Sequence, residues 1–453
     1  MSEQNNTKQK LTLFGLTWPI FIETLLHMLM GNADTLMLSQ YSDNAVAAVG
    51  VANQIIAVII VMFGFVAAGA AILVAQNLGA SNRFEAVEIS VTSISLNLWF
   101  SLILSIGVYL LSKPILQLMN IPNELFGDAT VYLNLVGGFI FVQALIMTVS
   151  AILRSYGFTK DTMYVTIGMN VLNVIGNYLF IFGSFGFPVL GVKGVAISTI
   201  ISRGLGFIVL LFLLLKRTEY TLPGRAFFTY QKHHAKDLLH IGIPSAGEQL
   251  SYNMSQMVIT YFIAQLGTVA LTTKVYTQNL MMFIFLFAIA IGQGAQILIG
   301  HMIGANKLKD AYDCCIKSLK VAIVVSIVGA VIIYFSSGYL MRIFTDNLSI
   351  IEQGSMLLLL TIVLEPGRAF NIVVISSLRA AGDVKFPVYI GIMSMWGISV
   401  TFAWFFGMYL GLGLIGIWIA FIADEWLRGM LMLRRWTNRS WMDKHFVQKA
   451  SSN

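Results

Sequence analysis

The chain has 453 residues, of which 57% are hydrophobic and only 11% are charged. Soluble globular domains carry roughly 25% charged residues, so this composition excludes an ordinary water-soluble protein and indicates a polytopic membrane protein. The formal net charge of +7 does not indicate nucleic-acid binding, because the basic residues lie in short loops between apolar runs.

The apolar runs predict the membrane spans. A helix that crosses about 30 Å of hydrocarbon needs about 20 apolar residues. Twelve such runs are predicted, over residues 11–38, 46–78, 87–112, 125–153, 162–183, 191–215, 238–265, 270–300, 314–343, 348–378, 386–410 and 412–436. The predicted fold class is therefore an all-α integral membrane protein with twelve transmembrane helices.

The basic residues predict the orientation of these spans. Of the 28 Lys and Arg residues, twenty-one fall on the side that holds both termini, four fall on the opposite side and three lie inside spans. Because loops rich in Lys and Arg stay in the cytoplasm, both termini are predicted to be cytoplasmic. We expect a multi-pass protein of the plasma membrane.

The sequence repeats itself at an offset of 225 residues. The register joins Pro19 to Pro244, Glu23 to Glu248, Gly69-Ala70 to Gly294-Ala295, Gly79-Ala80 to Gly304-Ala305, Arg154 to Arg379, Gly157 to Gly382 and Lys160 to Lys385. Each repeat holds six spans, an even number, so both halves enter the membrane from the same side. This predicts two six-helix lobes related by a pseudo-twofold axis along the membrane normal.

The same repeat predicts the domain organisation. The N-terminal lobe covers residues 1–215 and the C-terminal lobe residues 238–436. The long polar segment 216–237 is interpreted as a cytoplasmic linker, and residues 437–453 as a cytoplasmic tail.

Several motifs carry a family resemblance. The segment 18–54 holds a proline, an aspartate fifteen residues later (Asp34), and a small-residue loop. The loops LRSYGFTK (153–160) and LRAAGDVK (378–385) form a pair, and GVKGVAIST (191–199) is rich in small residues. These features resemble the multidrug and toxic compound extrusion (MATE) family. The resemblance implies a twelve-span antiporter that exports organic cations by using a proton or sodium gradient.

The branch of the family is also predicted from residues. The NorM-like branch has acidic sites in its seventh and tenth spans, where this chain has Tyr252 and Arg368. The resemblance is therefore closer to the DinF-like branch, and a cation site in the second lobe is in doubt.

A buried carboxylate is a candidate for function, since an acidic residue at the centre of a membrane helix costs roughly 2.5–3.5 kcal/mol. Asp34 lies near the outer third of the first span. Asn173 and Asn177, four residues apart, share a face of the fifth span, and Thr199 lies two turns into the sixth. The repeat places the apolar residues Ile259, Ile398, Phe402 and Phe421 at the equivalent positions. These four polar side chains are therefore candidates for one functional cavity.

The resemblance implies that this set binds the coupling ion. The family has an aspartate in the first span, an Asn-x-x-x-Asp pair in the fifth and a threonine in the sixth. Here Asn177 replaces the second carboxylate. A single carboxylate among neutral oxygens suits protonation better than tight sodium binding, so we expect proton coupling, with sodium as the alternative. No other cofactor and no bound metal are expected.

A second set of polar residues is predicted to line the substrate cavity: Glu248, Glu365, Gln54, Gln278, Asn279 and Met281. The competing interpretation for Glu23 and Glu248 is structural, because each follows a proline and its carboxyl could satisfy the freed backbone groups. For Glu365 the competing interpretation is a simple ion pair with Arg368, three residues later.

Three functions compete. The leading prediction is a monomeric exporter of amphipathic organic cations. The second is a flippase for lipid-linked precursors, which would favour a basic cavity. An intramembrane enzyme is disfavoured because no His-Glu-x-x-His, Gly-x-Ser-x-Gly or Walker motif occurs. His233 and His234 have no ligand partners at metal-binding spacing, so no metal site is predicted.

Overall fold

The computed structural model describes residues 11–218 and 231–446. These residues are almost entirely helical and contain no β-strand. The helices are α1 (Leu13–Ser39), α2 (Asp43–Gly79), α3 (Arg83–Leu118), α4 (Asn123–Tyr132), α5 (Ile140–Ser155), α6 (Thr159–Phe182), α7 (Val192–Thr218), α8 (Lys232–Gln265), α9 (Thr268–Gly304), α10 (Leu308–Phe335), α11 (Ser337–Arg342), α12 (Leu348–Ala380), α13 (Lys385–Ser394) and α14 (Gly413–Thr437). Two π-helical stretches, Met395–Val400 and Ala403–Tyr409, extend α13.

These helices account for the twelve predicted spans. In the described residues nine helices are long and apolar enough to cross a membrane, and the pair formed by α4 and α5, bent by 42°, makes a tenth. The remaining two, α8 and α14, have 34 and 25 residues. Their length suffices to span, but charged side chains interrupt their apolar surface. The predicted fold class, an all-α integral membrane protein with two six-helix lobes, is confirmed.

The ends of the predicted linker and tail differ from the expectation. The helix α7 continues to Thr218 and α8 starts at Lys232, so both described ends of the segment 216–237 are helical. Residues 219–230 of that segment and 447–453 of the tail lie outside the described residues. The described part of the tail is anchored, because its Lys444 bonds to the buried Asp383 at 2.7 Å.

The two lobes, α1–α7 and α8–α14, meet most closely where α2 crosses α9. This crossing lies at the end of the bundle where α1 begins and α14 ends, which we call the terminal face. At the crossing, Gly79 and Gly304 each face backbone of the other helix. A Cβ on Gly79 would overlap the carbonyl of His301, and one on Gly304 would overlap the carbonyl of Gln76. Only glycine allows the two backbones to approach this closely.

Two hydrogen-bond contacts join the lobes beside this crossing. The amide of Gln76 donates to the carbonyl oxygen of Ala380 at 2.7 Å. In the mirrored contact, Nε2 of His301 lies 2.8 Å from the carbonyl oxygen of Ser155. Both pairs are related by the offset of 225 residues, so the interface repeats the symmetry of the sequence. The lobes are thus fastened together at the terminal face by equivalent groups from each.

The glycine crossing gives a testable prediction. In the variant Gly304→Ala the new methyl group has to push α2 away from α9, since it meets backbone that cannot rotate aside. We expect the free energy of unfolding to fall by on the order of 1–3 kcal/mol, as for other overpacked sites. Thermal unfolding in detergent, followed by tryptophan fluorescence, measures the change.

The matched control is Gly50→Ala in α2, where a Cβ meets open space. We expect this control to unfold at the wild-type temperature or slightly above it, because alanine favours the helix. Equal unfolding temperatures for the two variants would contradict the close crossing.

Candidate ion-coupling and substrate sites

The four candidate coupling residues lie together inside the N lobe. Asp34 comes from α1, Asn173 and Asn177 from α6, and Thr199 from α7; all are buried. Nδ2 of Asn177 donates to Oδ1 of Asp34 at 2.5 Å and lies 3.4 Å from Oδ1 of Asn173. Nδ2 of Asn173 in turn donates to the Thr199 hydroxyl at 3.2 Å. The structure therefore links all four side chains in one chain of hydrogen bonds.

The sequence explains why these residues converge. Asn173 and Asn177 are one helical turn apart and project from one face of α6 toward α1 and α7. Beside them, the Ser198 hydroxyl binds the backbone carbonyl of Asn173 at 2.8 Å, and Gly176 leaves room for this hydroxyl. Small residues thus bring α7 close enough to α6 for Thr199 to join the chain.

Asp34 has no cationic side chain at ion-pair distance among the residues that the structure describes. Its one hydrogen-bond partner there is a neutral amide. A buried carboxylate without a countercharge is costly when ionised, so binding a proton or a cation relieves the cost. Arg203 of α7 lies close enough for the two charges to interact, although it forms no ion pair with Asp34.

The symmetric glutamates have a different environment. Glu23 Oε1 pairs with Arg154 at 3.0 Å, and Glu248 forms the corresponding pair with Arg379. These two ion pairs are related by the 225-residue offset, and each arginine comes from one of the paired LRxxGxxK loops. Glu23 also accepts a hydrogen bond from Thr162 at 2.8 Å. The arginines, rather than backbone groups freed by the prolines, therefore neutralise both carboxylates.

One cavity of about 590 Å³ collects half of the predicted substrate residues. Gln278, Asn279 and Met281 of α9 line it, together with Tyr252 of α8 and Arg368 of α12. Further lining comes from Met28, Asn32, Leu280, Met282, Phe283, Phe285 and Phe344. We call it the C-lobe cavity. It lies between α1 of one lobe and α8, α9 and α12 of the other.

The other three predicted substrate residues, Glu248, Gln54 and Glu365, do not line the C-lobe cavity. Glu248 is held in its ion pair and packs against Gly391, whose missing side chain makes room for the carboxylate. Gln54 is exposed on α2, on a different face from the buried Ala52 and Ile56. None of these residues is part of the lining of the C-lobe cavity.

Glu365 is fully buried and bonds to Arg368 at 2.6 Å. Of these two residues, only Arg368 lines the C-lobe cavity. Glu365 therefore affects the cavity indirectly, by neutralising the charge of Arg368. Arg368 also lies 3.6 Å from Glu425 of α14. Its guanidinium sits over the ring of Phe285, with 5.4 Å to the ring centroid. The arginine is thus fixed by two carboxylates and an aromatic ring.

The acidic pair of α14 belongs to the same network. Arg428 lies 3.2 Å from Asp424 and 3.1 Å from Glu425, as the spacing within this helix predicts. Asp424 also accepts from Ser394, and Glu425 accepts from Asn371 at 2.9 Å. The C lobe thus contains a charged network, whereas the hydrogen-bond chain of the N lobe joins one carboxylate, Asp34, to three uncharged side chains.

A second cavity, of about 530 Å³, was not predicted from the sequence. We call it the N-lobe cavity. Gln143, Gln293 and Gln296 line it, and its charged residues are the pair Glu23–Arg154 and Arg203. Since Glu23 and Arg154 neutralise each other, Arg203 gives the lining an excess positive charge. Gln293 and Gln296 lie three residues apart on one face of α9, and this spacing was the feature of the sequence that could have indicated the cavity.

The structure also corrects the expectation that His234 has no ligand partners. Its Nε2 lies 3.1 Å from a carboxylate oxygen of Glu85 and 3.6 Å from one of Glu88. The partners are far away in sequence, on α3 of the other lobe, so no local spacing could reveal them.

Comparisons with known proteins agree with the repeated, two-lobed architecture. The MatE family model matches residues 19–179 and 244–405, one segment in each repeat. The chain is 56% identical to the uncharacterized transporter YisQ of Bacillus subtilis (strain 168) over 96% of this chain and 95% of that protein. It is 28% identical to the probable multidrug resistance protein NorM of Thermotoga maritima, covering 95% of this chain and 92% of the relative.

A solved structure has the same fold. The crystal structure of a MATE protein in the bent conformation superposes with a TM-score of 0.87 at 20% sequence identity, over 95% of this chain and 96% of that one. At this identity the likeness supports the two-lobed twelve-helix architecture and nothing finer.

The symmetric ion pairs give a second prediction. Arg379→Met leaves the carboxylate of Glu248 buried without its partner, so the free energy of unfolding should fall by on the order of 3 kcal/mol. Arg154→Met should have a similar effect through Glu23. Chemical or thermal unfolding in detergent measures both variants.

The control is Arg217→Met, which breaks a pair of similar length with Asp161, 3.0 Å, at a site where 44% of the arginine side chain is exposed. We expect a loss below about 1 kcal/mol there. A double variant, Glu248→Gln with Arg379→Met, should lose less than the sum of its single changes. Simple additivity would show that the two side chains do not stabilise each other.

Proposed function

Because this chain belongs to the MatE family of membrane transporters, we propose that it is a cation-coupled antiporter that exports amphipathic organic cations across the plasma membrane. We propose that protons drive it through Asp34. The observation that carries the proposal is the buried Asp34 carboxylate, which has a neutral amide partner and no ion pair among the described residues.

The ligand set supports a proton rather than sodium. The chain of hydrogen bonds contains one carboxylate, Asp34, and three uncharged side chains. A proton needs one carboxylate oxygen, whereas a sodium ion needs several oxygens around it. Sodium coupling at the same residues stays the alternative, because the amide and hydroxyl oxygens of the other three residues are further ligands for it.

Arg203 supplies a physical link between the ion and the substrate. It lines the N-lobe cavity and interacts electrostatically with Asp34. While Asp34 is ionised, its negative charge partly offsets that of Arg203. Protonation of Asp34 leaves the arginine uncompensated, so the cavity becomes positive and repels a bound cation. Proton and organic cation then exclude each other, as antiport requires.

We propose that the C-lobe cavity is a second binding region for amphipathic cations, in addition to the N-lobe cavity beside Arg203. Met281 and Met282 offer flexible apolar contacts, and the rings of Phe283 and Phe344 offer faces that attract cations. Gln278 and Asn279 add neutral hydrogen-bonding groups. The positive charge of Arg368 is matched by Glu365 and Glu425, so it does not by itself exclude a cation.

The close packing of the terminal face supports a proposal for the conformational state of this structure. We propose that this face is cytoplasmic, in line with the distribution of Lys and Arg, and that the protein functions as a monomer. The crossing of α2 and α9 seals that side. The structure then corresponds to the outward-facing state, in which Asp34 takes up a proton and the substrate leaves.

The central test uses purified protein in liposomes loaded with a fluorescent organic cation. We expect an imposed proton gradient to drive efflux in the wild type, and Asp34→Asn to reduce efflux to the rate of protein-free liposomes. Asparagine keeps the size and a hydrogen bond but cannot bind a proton. The control Asp43→Asn changes an exposed aspartate at the start of α2 and should transport like the wild type.

Three other outcomes of this experiment would change the proposal. Transport that follows a sodium gradient and is lost in Asp34→Asn would keep the site and change the ion. Full proton-driven efflux by well-folded Asp34→Asn would contradict the role of Asp34. Absence of efflux under either gradient would refute the cation exporter.

A second candidate function rests on Arg203. This residue forms no ion pair in the described ranges, and its Nε has no hydrogen-bond partner there. A guanidinium that lines a cavity without an ion-pair partner is a suitable ligand for a phosphate or carboxylate. This observation favours a transporter for an anionic amphiphile, such as a lipid-linked precursor.

Arg203→Gln separates the two candidates. For a cation exporter we expect the variant still to exchange the organic cation but to couple it poorly to the proton gradient, since protonated Asp34 no longer leaves a repelling charge. For an anion transporter we expect movement of a fluorescent lipid phosphate by the wild type and its loss in the variant. Arg217→Gln, on the exposed end of α7, is the matched control.

A further inference from the structure

Three side chains from both lobes meet at the terminal face. Glu85 and Glu88 lie in the first turns of α3, and His234 is the third residue of α8. Nε2 of His234 lies 3.1 Å from Oε2 of Glu85 and 3.6 Å from Oε2 of Glu88. One ligand atom from each residue falls within 4.8 Å of both others. The cluster is therefore compact enough to hold a single ion.

His234 is the buried member of the cluster, with only 6% of its surface exposed. Although Nε2 is near both carboxylates, it makes no hydrogen bond to any described residue, because neither oxygen lies where a ring N–H would point. Buried polar atoms are almost always partnered, and an orphaned one calls for an explanation. An ion between the nitrogen and the two carboxylates supplies the missing partner.

The carboxylates are oriented for such an ion. Glu85 and Glu88 are three residues apart and so project from one face of α3. Nε2 of Gln231 donates to Oε1 of Glu88 at 2.7 Å, which leaves the other oxygen, Oε2, facing His234. Such outer hydrogen bonds orient metal ligands in known sites.

The donor set selects the class of ion. One imidazole and two carboxylates are ligands that Zn²⁺ accepts, with an open position for water. Tetrahedral bonds of about 2.0–2.1 Å place ligand atoms roughly 3.3–3.4 Å apart, close to the two distances from His234. Calcium and magnesium prefer six or more oxygens and rarely use imidazole. The two carboxylates also balance the double charge of the ion.

We propose that Glu85, Glu88 and His234 form a Zn²⁺-class metal site that ties the two lobes together at the terminal face. The helix α3 belongs to the N lobe and α8 to the C lobe, so the bound ion holds this face closed. This site has a consequence for transport that rests on the proposed function: the bound ion inhibits transport by stabilising the outward-facing state.

Binding is tested on the full-length protein in detergent, purified without a polyhistidine tag, by calorimetric titration with Zn²⁺. We expect one ion per chain. His234→Ala, Glu85→Gln and Glu88→Gln should each weaken binding by about 100-fold or more, since loss of an outer hydrogen bond alone costs ten- to hundredfold. The matched control is His233→Ala, because this neighbouring histidine is exposed and contacts Asp237 instead.

The control variant His233→Ala distinguishes a specific Zn²⁺ site from nonspecific binding of Zn²⁺. Wild-type affinity in His233→Ala together with loss in His234→Ala supports the site. Equal loss in both histidine variants, or unchanged binding in His234→Ala, overturns it. An absence of any Zn²⁺-dependent rise in the unfolding temperature of the wild type also overturns it, and would leave the cluster as ion pairs alone.

A transport assay tests separately whether the bound ion inhibits efflux. In the liposome assay we expect Zn²⁺ on the terminal-face side to slow efflux by the wild type and by His233→Ala but not by His234→Ala. Equal inhibition of all three would overturn the link to this site. A wild type that transports nothing even without Zn²⁺ would count against the proposed function, whereas the calorimetric result would still decide the metal site.

Discussion

The close approach of α2 and α9 is the constraint on which the rest of the arrangement depends. Because Gly79 and Gly304 lack side chains, the two backbones touch and the lobes lock at the terminal face. The contacts of Gln76 and His301 with the opposite lobe follow from this approach. Away from the crossing the lobes leave room, and both cavities lie there, each lined by residues of both lobes.

The buried charges fall into two groups that the sequence repeat separates. The pairs formed by Glu23 and Glu248 with their arginines occur in both lobes. Within the membrane a buried carboxylate needs a partner inside the protein, and an arginine is that partner in both lobes. The polar groups around Asp34, and the ionic network around Arg368, occur in one lobe each. A symmetric scaffold therefore carries asymmetric polar chemistry.

The sequence predicts the fold well because membrane insertion imposes a strong pattern on it. Span number and lobe symmetry follow from hydrophobic length, the Lys and Arg distribution and the repeat. Asp34, Asn173, Asn177 and Thr199 could be grouped because helix depth and helical faces are readable. The direction of each side chain was harder to predict: Glu248 and Glu365 have the charge expected of cavity residues, yet each is paired with an arginine and neither lines the C-lobe cavity.

The partner, rather than the carboxylate itself, decides what an acidic residue does in this protein. Glu23, Glu248 and Asp34 are all buried acids on long helices. The two glutamates have guanidinium partners, so their charge is satisfied and the pairs stabilise the lobes. Asp34 has a neutral amide at 2.5 Å and an arginine that does not pair with it. We therefore propose that its charge state changes during transport, and that Arg203, which lines the N-lobe cavity, transmits that change to a cation bound there.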